Sequence, residues 1–269
     1  MPSAAPFPSS RRVTLALLGM LLVAAAGATM VGSVPMSPRE VLGRCVQALW
    51  GGSTDDAKAR ILLTTRLPRV VLAVAVGAAM SLAGLAAQTL FRNPLASPFV
   101  LGVSNGAALG AVAGMLLVGK VIGYGAVPAL SVAGGSAVAA AVFLLARRGR
   151  HFGSSLLLAG IALSAFCSAL TAGALYLAGE RLQTLVFWLM GGLWQATWRD
   201  ALVMVPLAGG CLLALSVLAP AMDVALVGER SARELGVNVR RLQRWLLVAV
   251  AATTSVAVSL TGVIGFVGL

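Results

Sequence analysis

Apolar residues in this chain run in long blocks, neither alternating nor forming a helical stripe, and the blocks end at charged residues. Cutting the sequence at every Asp, Glu, Lys and Arg leaves eight long uncharged stretches: 13–38, 70–91, 93–119, 121–146, 151–179, 182–198, 201–222 and 245–269. Seven of them hold at least 22 residues, against the roughly 20 that an α-helix needs to cross a bilayer. The pattern predicts an all-α polytopic membrane protein with about seven spanning helices, organised as one transmembrane domain over 1–269. The first stretch follows Arg11-Arg12 and is longer than the roughly 7–15 apolar residues of a secretory signal core. It therefore reads as a first spanning helix.

The exception, 182–198, decides the topology. It is barely long enough to cross, and it contains Trp188, Trp194 and Trp198, a residue type that favours the water–lipid boundary. With the amino terminus inside and 182–198 not crossing, eleven basic residues lie inside and nine outside, six of these in the 35–69 loop. If 182–198 crosses, the count becomes seven inside and thirteen outside. The positive-inside rule selects the first arrangement: 35–69 is an external loop, 182–198 an external interfacial helix, and 223–244 a cytoplasmic loop.

Composition agrees with a lipid environment: 59% of the residues are hydrophobic and 10% charged, and the mean hydropathy is +0.96. A soluble domain carries about a quarter charged residues. The net charge of +12 resides in loops between apolar blocks, so it serves topology and implies no nucleic-acid partner. Cys45, Cys167 and Cys211 show no metal-binding spacing and read as small core residues.

Few residues bear chemistry. No Asp or Glu occurs between Ala57 and Gly179, which disfavours proton-coupled transport, since such carriers place an ionisable group at membrane depth. His151 follows Arg147-Arg148-Gly149-Arg150 and reads as a solvated loop residue. There is no G-x-x-x-x-G-K-[ST] phosphate loop, so a driving nucleotide would sit on another chain. Gly102, Gly106, Gly110 and Gly114 recur every fourth residue, which lets helix backbones approach closely; they read as helix packing. Gly77, Ser81, Gly84 and Gln88 form a second stripe, with an interhelical hydrogen bond by Gln88 preferred over substrate contact. Ser164, Ser168 and Thr171 lie above Gly160 on one face, either back-bonded to their own helix or lining a wettable passage. Between Met222 and Gly236, Gly228 separates two short helices and Gly236 is a helix stop. This segment is either a surface helix or a docking site for a soluble partner.

At these residues the chain resembles the FecCD-type permeases of ABC importers for iron–siderophore complexes, haem and cobalamin. The matching strings are Arg66-Leu-Pro-Arg69, Gly77 through Gln88, Arg92-Asn-Pro-Leu-Ala-Ser-Pro98 and Leu101-Gly-Val-Ser-Asn-Gly-Ala107. Farther on come Leu158-Ala-Gly-Ile161, Phe187-Trp-Leu-Met-Gly-Gly192, Leu226 through Gly236, and Gly262-Val-Ile-Gly-Phe-Val-Gly-Leu269. The resemblance implies a ten-helix permease fold in the bacterial inner membrane, paired with the same or a homologous permease. It further implies a cytoplasmic ABC ATPase dimer that binds ATP and Mg, no cofactor in this chain, and an external or periplasmic substrate-binding protein. Leu226, Gly228, Glu229, Ser231, Ala232, Leu235 and Gly236 would then form the ATPase-coupling element. The helix carrying Gly160, Ser164, Ser168 and Thr171 would line the path, and Arg60, Arg66 and Arg69 are candidates for contact with the binding protein. Ferric siderophore is the favoured substrate over haem or cobalamin, with a stand-alone carrier or channel as the alternative. Family members continue beyond the string matching Gly265–Leu269 with a Pro-His motif and further helices, so the chain is expected to be C-terminally incomplete.

Overall fold

The computed structural model describes residues 10–50, 56–118, 124–149 and 152–265; His151, Arg150, Lys120 and the string 266–269 lie outside the described residues. Every described regular element is a helix. The chain divides into two units, Met1–Val71 and Leu72–Leu269.

The first described helix of the first unit is α1 (Ser10–Met30), an apolar helix long enough to cross a membrane. The 35–69 segment is largely helical. In α2 (Pro38–Leu49), Ser37 and Glu40 form a capping box with Pro38 in the first turn, which satisfies two orphan N–H groups at once. Asp56 caps α3 (Ala57–Ile61). Arg44 pairs with Asp56 at 2.6 Å and Lys58 with Glu40 at 2.8 Å, joining α2 to α3. The Lys58 ammonium, followed by the Ser37 N–H, holds the Glu40 carboxyl at about 2. After α3 a π-helical turn, Leu62–Arg66, leads into α4 (Leu67–Phe91).

The second unit packs α5 (Val103–Ala113), α6 (Val127–Ala146), α7 (Phe152–Tyr176), α8 (Leu182–Leu189), α9 (Trp198–Val227), α10 (Glu229–Glu234) and α11 (Val239–Thr261) with the rest of α4. Six helical segments are long and apolar enough to cross a membrane: Arg11–Met30, Ala57–Phe91, Val127–Ala146, Phe152–Tyr176, Trp198–Val227 and Val239–Thr261. A seventh apolar helix, Val103–Leu117, is shorter. It starts ten residues after the uncharged stretch 93–119 does, because Pro94 and Pro98 cannot donate backbone hydrogen bonds. Residues 92–97 form turns, and a 3-10 turn spans Pro98–Leu101. Within 182–198 the only helix of the described chain is α8, eight residues or about 12 Å long. The chain then turns at Gly191-Gly192, where the Gly192 N–H donates to Thr261 O at 2.7 Å.

Backbone contact between α5 and α6 organises this unit. A Cβ on Gly110 would collide with the carbonyl oxygen of Leu130, and one on Gly106 would lie 2.8 Å from Gly134 O. Gly134 in turn lies against Gly106 O. Gly102 belongs to a different contact: its φ is 73°, and a Cβ there would lie 3.0 Å from Gly160 O and 3.2 Å from Ser164 N on α7. On the other side of α6, Gly135 meets the Ser255 hydroxyl of α11. Small residues let apolar helices reach van der Waals distance where lipid supplies no hydrophobic drive. Around this seam Val103, Val138, Val142, Leu156, Leu246 and Val250 are buried.

Gly110→Val should therefore lower the thermal unfolding midpoint in detergent strongly, at a cost of about 3 kcal/mol or more, since overpacking against backbone has nowhere to relax. Gly173→Ala, with nothing within 4 Å of the new Cβ, should leave the midpoint unchanged or raise it.

Candidate functional site

The hairpin joining α9 to α11 has the geometry of a docking element. α9 carries Leu226 and Val227 at its end and stops at Gly228, whose φ of 151° suits glycine and strains other residues. α10 follows and is closed by a Schellman arrangement: the Val237 N–H donates to Ala232 O at 2.9 Å and the Gly236 N–H to Arg233 O at 3.0 Å. Gly236 adopts φ of 84°. The Asn238 side chain then accepts from the Arg241 N–H at 3.0 Å and starts α11. Ala232 is fully buried, whereas Leu226, Val227 and Leu235 are 52%, 79% and 71% exposed. The hairpin thus seats itself on its small residue and leaves three large apolar residues uncovered amid charge.

Glu229 is turned inward. Its carboxylate accepts from Arg233 Nη2 at 3.1 Å and Gln243 Nε2 at 3.2 Å. Two open grooves, of about 830 and 900 Å³, flank it; Ser231 and Arg230 line the first, and Arg147 and Arg244 the second. Arg230 and Glu234 form an exposed pair one turn apart at 3.1 Å.

On α7 the four candidate path residues separate. Gly160 is buried, and a Cβ there would lie 2.5 Å from Val100 O, so it serves a helix contact. The Ser164 hydroxyl accepts a hydrogen bond from Asn105 Nδ2 across the α5–α7 contact. Thr171 donates to Cys167 O at 2.9 Å within its own helix. Ser168 is exposed on a face this chain does not cover. Gln88 makes no interhelical bond among the described contacts: its Nε2 donates to Pro94 O at 3.0 Å, closing the turn that follows its own helix.

The three arginines also separate. Arg60 and Arg69 are exposed. Arg66 is 7% exposed, and its guanidinium donates to Thr29 O at 2.8 Å, Met30 O at 3.2 Å and Val34 O. It caps the carbonyl end of α1, where a cation is favoured by the helix dipole, and is therefore unavailable for a surface contact. Gly32 makes room for it: a Cβ there would lie 2.6 Å from Nη2. Arg181 does the same for the helix end after α5, donating to Met115 O at 2.8 Å. Basic charge alone gave no sign of the burial of Arg66 or of the carbonyl contacts of Arg181. Asn105, a lone amide in an apolar span, was the available signal for the Ser164 contact. Among the described residues no group of His, Cys, Asp and Glu is placed to hold a metal ion.

Long apolar helices around a backbone-tight seam, with a charged hairpin bearing apolar residues at one end, make this a multi-pass membrane protein. Residues 18–269 match the model of the FecCD transport family, and the chain belongs to that family. It is 38% identical over 263 residues to the hemin transport system permease protein HmuU of Yersinia pestis, covering 94% of this chain and 75% of that one. It is 40% identical over 210 residues to the cobalamin import system permease protein BtuC of Halobacterium salinarum, covering 78% of this chain and 56% of that one. A transporter assigned to the metal-chelate ABC type, solved in an inward-facing conformation, superposes with a TM-score of 0.79 at 26% identity, over 96% of this chain and 78% of the other.

Arg66→Gln should lower the thermal midpoint by the equivalent of about 3 kcal/mol, since up to three charge-assisted bonds to carbonyls are lost. Arg60→Gln, at an exposed side chain, should stay within about 0.5 kcal/mol of wild type. Equal stability of the two variants in detergent would contradict the capping role.

Proposed function

We propose that this chain is the permease subunit of an ATP-driven importer in the bacterial inner membrane, moving a bulky metal chelate handed over by an external binding protein. A ferric siderophore is the favoured cargo. The haem and cobalamin permeases among its relatives, and the metal-chelate type of the structural neighbour, support that class. The observation that carries the reading is the α9–α10–α11 hairpin: two glycine-dependent bends hold Leu226, Val227 and Leu235 exposed beside charged residues.

In this reading the 223–244 segment is cytoplasmic and α10 docks in a groove of an ABC ATPase, which binds ATP and Mg. Two ATPases and a second permease, the same chain or a homologue, complete the assembly. ATP closes the ATPases, α10 moves with them, and the path between the permeases opens to one side or the other. Docking transmits force only if its free energy differs between those states. Ser168, and the α7 face that carries it, line the path, while Gly160 and Ser164 fix α7 against α5. Arg60 and Arg69 meet acidic groups of the binding protein, as pairs that are individually weak at a surface.

Reconstituted in liposomes with its ATPase and binding protein, the chain should take up a ferric hydroxamate siderophore only with ATP. Leu235→Glu or Gly228→Asp should cut uptake at least tenfold while the chain stays membrane-inserted and ATP hydrolysis by the ATPase persists. Uptake driven by an ion gradient without ATP would establish a secondary carrier instead.

A further inference from the structure

Arg92 is the one described residue other than glycine with a positive φ, 50°. It follows the last residue of α4, where a left-handed turn normally recruits glycine because a Cβ is strained there. A strained side-chain-bearing residue persists only when its surroundings over-determine it. Here the backbone is fixed on both sides: the Arg92 N–H donates to Thr89 O at 3.3 Å and the Asn93 N–H to Gln88 O at 3.1 Å. Asn93 Oδ1 accepts from the Leu95 N–H at 2.9 Å.

The side chain explains why the position is an arginine. Arg92 Nη2 lies 3.6 Å from Glu229 Oε1, across the groove of about 830 Å³. That same oxygen accepts from Gln243 of α11, and the other oxygen from Arg233 of α10. One carboxylate therefore joins the α4 exit, α10 and α11. The Arg92 arm is the loosest of the three, an ion pair longer than a hydrogen bond. Beyond Arg92 the chain enters α5, whose glycines lock it to α6 and, through Gly102, to α7.

We propose that Arg92 is a positioning residue that latches the α4–α5 connection to α10 through Glu229, so that displacement of α10 is delivered to α5 and α7. This rests on the reading of α10 as the ATPase-docking element. The backbone supplies a way to separate a coupling role from a structural one. Glycine adopts φ of 50° without strain, so Arg92→Gly removes the latch and relieves the backbone together.

The test compares wild type with Arg92→Gly, Arg92→Lys, Glu229→Gln and the Arg92→Gly/Glu229→Gln pair, each as the full chain with ATPase and binding protein in liposomes. Thermal midpoint, ATP hydrolysis and uptake of a ferric hydroxamate siderophore, haemin or cyanocobalamin are measured. Arg92→Gly should keep or raise the midpoint while ATP consumed per chelate imported rises at least tenfold. Arg92→Lys should recover at least half of the coupling. Glu229→Gln also weakens the contacts to Arg233 and Gln243, so the cycle is read by difference: Arg92→Gly should change the ratio less in the Glu229→Gln background than in wild type. An unchanged ratio in Arg92→Gly, or a fall in its midpoint that tracks the loss of uptake, overturns the latch while the importer reading stands. Wild type without ATP-dependent uptake of any probe overturns the importer reading, and the latch falls with it.

Discussion

Contact between helix backbones, possible only where side chains are missing, is the constraint on which the second unit depends. Gly106 and Gly110 on α5 meet Gly134 and the Leu130 carbonyl on α6, and Gly102 meets Gly160 on α7. Water cannot drive these helices together in lipid, so dispersion over a close interface must do so, and one added methyl would spread the helices by more than such contacts tolerate. α11 closes the same seam by setting Ser255 against Gly135. The hydroxyls of Ser104, Ser131, Thr254 and Ser255 are buried with no hydrogen-bond partner in the described structure. Their small size suits the seam, and their unmet polarity keeps it from being a wholly apolar lock.

Helix ends pose the complementary problem, because terminal carbonyls lack intrahelical donors. The chain answers at two places with arginine: Arg66 closes α1 and Arg181 closes the end after α5. Arg66, so used and buried, counts toward the positive charge of its segment yet offers nothing to a visiting partner. That is why charge placement in the sequence marked the uncharged spans, but neither the helix ends, since Lys58, Arg60 and Arg66 lie within the helical run that leads into α4, nor the burial of Arg66. A formal charge tells that a residue avoids lipid; it does not tell whether water or a carbonyl receives it.

The same distinction explains what else was legible. Spans were readable because charge-free length is a one-dimensional property, and Gly236 was readable as a stop because its role is local. The four-residue glycine spacing pointed to packing, but its partners Leu130, Gly134 and Gly160 are set by tertiary approach, and Gly102 turns to a different helix from its three successors. The path face on α7 read as one stripe from Gly160 to Thr171. In the fold its lower half is consumed by the contact with α5, leaving Ser168 as its exposed hydroxyl. Glu229 likewise lay within a docking string, and only the fold shows its carboxylate turned toward Gln243 and Arg233.

These placements give α11 a part that its sequence does not announce. Near its start Gln243 holds Glu229, the first residue of α10, and at its far end Thr261 O accepts from the Gly192 N–H while Gly262 packs on the Trp188 carbonyl. Its 23 residues span about 35 Å. It is also the most buried of the long helices, pressed against α5 and α6 along the way. A helix held at both ends and packed in between has little freedom to bend, and α11 thereby ties the α10 hairpin to the α8 turn. The left-handed glycines at that turn, Gly191 with φ of 69° and Gly262 with φ of 71°, make the far joint a contact of backbone on backbone.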